Sequence, residues 1–304
     1  LMAVYTRINK SDLSFIEKNF NIGKVVSFAG IKKGIENTNY LIKTNKKKII
    51  LTIFEKRVQK KDLPFFMNLM FGLSKNKIKC PEPIKNKKGK YLFKIKSKTA
   101  CLVSFLEGKD KNQLTNKDCF QVGKNAALLH LAAKKLRLYR KNSLSVNSWG
   151  PLLNRIDERI NKLSSNLIDT MRTDLVDIKK KWPKSMPNGI IHSDLFIDNI
   201  FFYKKKYYGF IDFYFSANDF LAYELATCVN ALCFKKRNKI FILDKYSNEE
   251  SSLFERCLSD CIFCNHKNVP EMLLSQNDQF QSPDPLIPCI CAIDRLLRLR
   301  WQFG

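Results

Sequence analysis

The sequence has no apolar run long enough to span a bilayer, and its start lacks a basic region followed by an apolar block and a small-residue cleavage site. A soluble cytoplasmic protein is therefore expected. Acidic residues are scarce, with 28 Asp+Glu against 54 Lys+Arg and a formal net charge of +26. Such a charge raises nucleic acid or an anionic membrane as a partner. Arginine is scarce too, however: 42 of the basic residues are Lys and 12 are Arg. Runs such as Lys46-Lys47-Lys48, Lys179-Lys180-Lys181 and Lys204-Lys205-Lys206 are short and dispersed. With no recognition motif or Arg cluster, they read as solvated surface coded by an AT-rich genome, and neither nucleic acid nor membrane is expected as a partner. Internal repeats and low-complexity linkers are also missing, and ten cysteines in a long chain without an export signal read as reduced thiols.

What is present is a core-forming chain of 304 residues, 45% hydrophobic and 12% aromatic. Residues 11–20 read as a helix capped by Ser11 or Asp12, with Leu13, Phe15, Ile16 and Phe20 turned inward. Val25–Phe28, Asn39–Lys43 and Lys48–Phe54 read as strands, the last two joined by the polar turn Thr44-Asn45-Lys46-Lys47. A helix over 62–77 with Pro64 in its first turn follows, then strands at Tyr91–Phe93 and Cys101–Phe105. From the capping-box-like Thr115-Asn116-Lys117-Asp118 onward the pattern is helical, with a second helical region over 151–182. A short hairpin over 199–213 and a buried helix over 219–234 complete it. The expected fold class is α+β, with a small antiparallel-sheet N-lobe and a mainly helical C-lobe.

The segment His192-Ser193-Asp194-Leu195-Phe196-Ile197-Asp198-Asn199, with Asp212 thirteen residues further on, carries the chemistry. Phosphoryl transfer asks a protein for a carboxylate near the attacking hydroxyl and for hard oxygen ligands that hold Mg²⁺ against the phosphates. Asp194 fits the first need, Asn199 and Asp212 the second, and His192 braces the loop. The Asp-x4-Asn spacing is that of the protein-kinase catalytic loop. ATP and Mg²⁺ are thus the expected cofactors. Gly30-Ile31-Lys32-Lys33-Gly34-Ile35-Glu36-Asn37-Thr38-Asn39 lies between two strands, where Gly34, Asn37 and Asn39 can approach a polyphosphate. Val103–Gly108 ends a strand before a helix, which places Ser104, Phe105 and Leu106 as candidates for adenine contact.

These features resemble the bacterial homoserine kinases of the aminoglycoside-phosphotransferase-like type, over about residues 3–235. Gly34–Tyr40, Leu51–Arg57, Leu63–Met67, Ile191–Asn199, Ile211–Phe215 and Asp219–Ala226 carry the likeness. The resemblance implies a bilobal protein-kinase-like fold with residues 1–107 as an ATP-binding lobe and 108–244 as a catalytic and substrate lobe. It also implies transfer of phosphate from ATP to L-homoserine in threonine biosynthesis, with Tyr214, Asp219 and Glu224 near the substrate. The alternative is a kinase of another small amino alcohol, such as choline, ethanolamine or an aminoglycoside. Thr52 occupies the place where most kinases of this fold carry a phosphate-pairing lysine, leaving Lys56 and Arg57 as candidate cations. Glu224 stands where the family is expected to have an aspartate.

A compositional break follows. Residues 1–244 hold 48 Lys+Arg and 20 Asp+Glu, net +28, whereas 245–304 hold 6 and 8, net −2. Lys falls from 40 to 2 across that boundary, and five of the ten cysteines lie beyond it. A frameshift after about residue 244 is the expectation. Cys257, Cys261, Cys264 and His266 have a zinc-like spacing, but Cys289 and Cys291 are too close together to complete a second knuckle, and a metal site there is not expected.

Overall fold

The computed structural model describes residues 4–33, 36–55, 57–154, 167–232, 234–237 and 240–243. They fall into two compact units. The first takes the chain up to Lys109 together with Phe201–Tyr214; the second takes Asp110–Ile200 and the described residues from Phe215 on.

The first unit is built on a five-stranded antiparallel sheet, order β1-β2-β3-β5-β4, from β1 (Val25–Gly30), β2 (Thr38–Thr44), β3 (Lys48–Ile53), β4 (Leu92–Ile95) and β5 (Lys98–Ser104). The β2–β3 turn closes as its sequence requires, with the Thr44 hydroxyl accepting the N–H groups of Lys46 and Lys47. Side chains alternate across a strand. Ile42, Ile49, Leu51, Ile53, Ala100 and Leu102 are buried with Leu13, Ile16 and Phe20 of the α1 region (α1, Lys10–Asn19), whereas Phe15, expected to turn inward, is exposed and only lies its ring against Phe93. Thr52 and Cys101, paired across β3 and β5, point the other way and are also buried. The cap of α1 is Asn9, not Ser11 or Asp12: Asn9 and Asp12 form a reciprocal capping box, and the Ser11 hydroxyl donates to Asn9 Oδ1.

A 3-10 turn at Lys60–Asp62 leads into α2 (Leu63–Lys75), which buries Phe66, Met67, Leu69, Met70 and Leu73. The hairpin of β7 (Ile200–Tyr203) and β8 (Lys206–Phe210) is separated from β5 by 95 residues of chain yet belongs largely to this unit. Backbone hydrogen bonds hold it: Lys109 and Phe202 exchange N–H and C=O at 3.0 and 2.8 Å, and Phe210 N–H reaches Lys79 C=O at 3.1 Å. The approach needs glycine. Gly108 has φ +107°, and a Cβ there would lie 2.6 Å from the Phe202 carbonyl oxygen.

The second unit is mainly helical: α3 (Asn116–Lys134), α4 (Val146–Leu153), α5 (Leu167–Lys181) and α6 (Leu221–Leu232). The Thr115–Asp118 capping box starts α3, with both bonds made. Val146, Trp149, Leu153, Met171, Leu175, Ile191, Tyr223 and Ala226 form one core. A two-stranded antiparallel ribbon of β6 (Asn188–Ile191) and β9 (Ala217–Phe220) runs into α6. The helix expected over 219–234 thus begins two residues later, because Ala217–Phe220 is claimed by pairing with β6. A last hairpin joins β10 (Phe234–Arg237) and β11 (Ile240–Leu243). No helix among the described residues is long and apolar enough to cross a membrane. The tail after residue 244, with its cysteines and His266, lies outside the described residues, as do Gly34 and Lys56.

Candidate active site

β6 ends in the buried pair Ile190 and Ile191, and the chain then makes the loop 192–199. His192, Ser193, Asp194 and Asn199 are all buried. Ser193 adopts φ +66°, an unfavourable backbone for a residue with a side chain, so something must hold it. Glu224 on α6 does. Its carboxylate, 1% exposed, accepts the backbone N–H of Ser193 at 3.0 Å and makes a short hydrogen bond with the N–H of His192. The Ser216 hydroxyl donates to the His192 carbonyl at 3.4 Å. Behind Glu224 lies His130 of α3, its Nε2 3.6 Å from Glu224 Oε2.

Asp194 and Asn199 come together directly. Asn199 Nδ2 donates to the Asp194 carbonyl at 2.8 Å and to its carboxylate at 2.9 Å. The amide orientation is thereby fixed, and Asn199 Oδ1, opposite the donating nitrogen, accepts no hydrogen bond among the described residues. A hard amide oxygen left available beside an oriented carboxylate suits Mg²⁺, which takes one or two protein oxygens and completes its shell with phosphate and water.

The structure occupies Asp219 differently. It sits in β9, its Oδ2 accepting from Asn142 Nδ2 at 2.7 Å and its Oδ1 from the Phe220 N–H. Arg140 completes this corner by donating to the carbonyls of Phe215 and Ser216. None of Asn142, Arg140 and His130 was singled out for the site from sequence. Their partners lie more than seventy residues away along the chain, so no local spacing announces them.

In the first unit Asp212 follows β8 with φ +63°, and Phe213 after it is fully buried. Tyr214 packs edge-on against Phe54 (ring centroids 5.0 Å apart) and Phe66 (5.9 Å), with its hydroxyl 3.7 Å from Cys101 Sγ. Burial, then the neighbouring Cys101, raise the phenol well above its ordinary pKa, so it stays protonated. Cys101 is likewise pushed up by burial, to about 12. Thr52, 2% exposed, donates its hydroxyl to Asn39 Oδ1 at 2.8 Å, which orients the Asn39 amide. Asn37 is buried and its Oδ1 has no hydrogen-bond partner among the described residues.

Of the candidate adenine contacts, Ser104 is engaged on both sides by Glu82. Its hydroxyl accepts the Glu82 N–H and its own N–H donates to the Glu82 carbonyl, both at 2.8 Å. Phe105 N–H bonds the Lys48 carbonyl at 3.4 Å, while Leu106, 9% exposed, has an N–H with no recorded partner among the described residues. Of the two candidate cations, Arg57 forms a short ion pair with Glu36 in the β1–β2 connection. The other, Lys56, lies outside the described residues.

Comparison with known proteins places this arrangement. Residues 27–242 match the model of the Phosphotransferase enzyme family. A homoserine kinase of Allorhizobium ampelinum is 44% identical over 235 residues, which is 77% of this chain and 73% of that protein. The microcompartment-associated aminopropanol kinase shares the fold at 14% identity, with TM-score 0.68 over 96% of this chain and 89% of that one. The amicoumacin kinase hAmiN, solved with AMP-PNP, Ca²⁺ and Ami, does so at 13% identity, with TM-score 0.69 over 98% and 87%. The fold is therefore the protein-kinase-like one, with a small antiparallel-sheet part and a mainly helical part. With a match over most of its length and a relative this similar, the chain belongs to the phosphotransferase enzyme family.

Proposed function

We propose that this chain transfers the γ-phosphoryl group of ATP to the side-chain hydroxyl of L-homoserine, giving O-phospho-L-homoserine and ADP for threonine biosynthesis in the cytoplasm. The 44% identity to a homoserine kinase across three-quarters of both chains is the observation that carries it. The geometry of Asp194 and Asn199 supports the chemistry.

Asp194 is the residue that orients the acceptor hydroxyl and receives its proton as the new O–P bond forms and the bond to the ADP oxygen breaks. Glu224 keeps the loop in place for that task, and His192, wholly buried, braces it from beneath. Asn199 Oδ1 and the Asp212 carboxylate are the oxygens that would hold Mg²⁺, which supplies charge neutralisation at the phosphates. Asn39, oriented by Thr52, and the backbone around Asn37 serve the phosphates, and the Leu106 N–H serves the adenine. Asp219 and Glu224, with their carboxylates engaged inside the second unit, act on the substrate through the loops they hold.

Release of ADP by the purified protein, coupled to an optical assay, tests the assignment. Turnover with Mg-ATP and L-homoserine is expected, with none on choline, ethanolamine, L-threonine or kanamycin and loss in Asp194→Ala. Turnover on one of the other alcohols instead would retain the chemistry and overturn the acceptor. The compositional break after residue 244 is read as a frameshift, supported by a family match that stops at residue 242. Resequencing the locus tests it, and an uninterrupted frame with no family-like alternative frame would refute it.

A further inference from the structure

We propose that Tyr214 is a positioning residue, a packed strut that replaces the lysine–carboxylate pair of other kinases and holds Asp212 in its metal-binding conformation. The proposal rests on the reading of Asp212 as a metal ligand given above. Protein kinases tie the third strand to the following helix with a Lys–Glu ion pair, which fixes the helix and brings a cation to the phosphates. Both halves of that pair are missing here. The β3 position is Thr52, and α2, Leu63–Lys75, contains no Asp or Glu.

Tyr214 links the same elements. Its ring meets Phe66 of α2 and Phe54 just past β3, each edge-on at an interplanar angle of 87°. Its hydroxyl reaches Cys101 on β5, and Thr52 on β3 neighbours the phenol. Sheet and helix are thus joined through one tyrosine side chain. Two residues upstream, Asp212 has φ +63°, which a side-chain-bearing residue keeps only where its surroundings impose it. Phe213 is fully buried and Tyr214 is pinned on several sides, so the two residues after Asp212 cannot relax without breaking that packing. The ring does mechanically what an ion pair does electrostatically, but it brings no cation to the phosphates.

Calorimetric titration of ADP with Mg²⁺ and with EDTA separates positioning from general stability. The quantity read is the ratio of the two affinities, and no turnover is needed. In Tyr214→Ala the ratio is expected to fall about tenfold or more, the usual loss when a residue supporting a metal ligand is removed, while binding in EDTA changes by less than about twofold. Tyr214→Phe keeps both ring contacts and is expected to hold the ratio within about threefold. Phe66→Leu, which trims the partner on α2, lowers the ratio in the same direction and decides the matter if Tyr214→Ala does not fold. An unchanged ratio in the Ala and Leu variants, or equal losses with and without Mg²⁺, overturns the proposal. Asp212→Ala is the control. If it leaves the ratio intact, the metal-ligand reading fails; if it abolishes the ratio and the Tyr214 and Phe66 variants do not lower it, only the strut fails.

Discussion

Glu224→Gln removes one charge and almost no volume from beneath the catalytic loop. The native carboxylate accepts two backbone N–H groups, those of His192 and Ser193. Glutamine offers a single acceptor oxygen, and its NH₂ must face the other N–H donor. A hydrogen bond to a charged group contributes about 1.5–3 kcal/mol, and leaving a buried N–H unmade costs about 1–3 kcal/mol, so a local loss of about 3 kcal/mol is expected. Ser193, held at φ +66°, gains a reason to relax. The readout is native-state hydrogen exchange. At about 1.4 kcal/mol per decade, the His192 and Ser193 amides should exchange about 100-fold faster, while amides of the β2–β3 ladder, such as Leu41 and Leu51, should not change. Turnover should fall by about 100-fold, as expected when a reacting group is displaced by about 1 Å. Unchanged exchange at the two amides, or uniform acceleration through both units, would refute the view of Glu224 as a local clamp.

Three further outcomes are expected. Glu55 is lowered in pKa: burial acts to raise it, but hydrogen bonds from Lys98, Thr38 and Thr6 and the Lys98 charge outweigh that effect. A folded pKa below the unfolded one stabilises above the unfolded value and is lost as pH falls through the folded one, so the urea midpoint of the native chain should drop on acidification toward about pH 3 more steeply than that of Glu55→Gln. Gly108→Ala forces a Cβ to within 2.6 Å of the Phe202 carbonyl at φ +107° and should lower the thermal midpoint by the equivalent of about 1–3 kcal/mol, whereas Gly89→Ala, with open space and φ +76°, should cost less. Cys80 and Cys101, both pushed by burial to about 12, should resist alkylation in the native protein at about pH 8 and react fully in urea, as read by mass spectrometry.

Much of the sheet could be read from the chain because its signals are local. Period-2 burial over Thr38–Thr44 and the polar turn after it specify a hairpin, and Thr115 with Asp118 specifies a helix start. Asn199 was legible from its spacing to Asp194, since five residues through a tight loop return one side chain to the other. β9 was not legible, because Ala217–Phe220 becomes a strand only by pairing with Asn188–Ile191, about thirty residues earlier. For the same reason the engagement of Asp219 by Asn142 and of Ser104 by Glu82 left no trace in the motif. The grouping of Phe201–Tyr214 with the first unit was not legible either, because it depends on Lys79 and Lys109 supplying backbone partners.

That return of the chain has a consequence for biosynthesis. The Phe210 N–H meets the Lys79 carbonyl across 131 residues of sequence, so a unit whose sheet is synthesised before the second unit is completed only after most of that unit's helices have followed. At about 5–20 residues per second, the five-stranded sheet waits several seconds for its hairpin, with the groups around Lys79 and Lys109 bonded to water in place of their protein partners in the meantime. Cutting the gene after residue 109 would yield no finished piece, and a nascent chain stalled between the two points should be the species most prone to capture by chaperones.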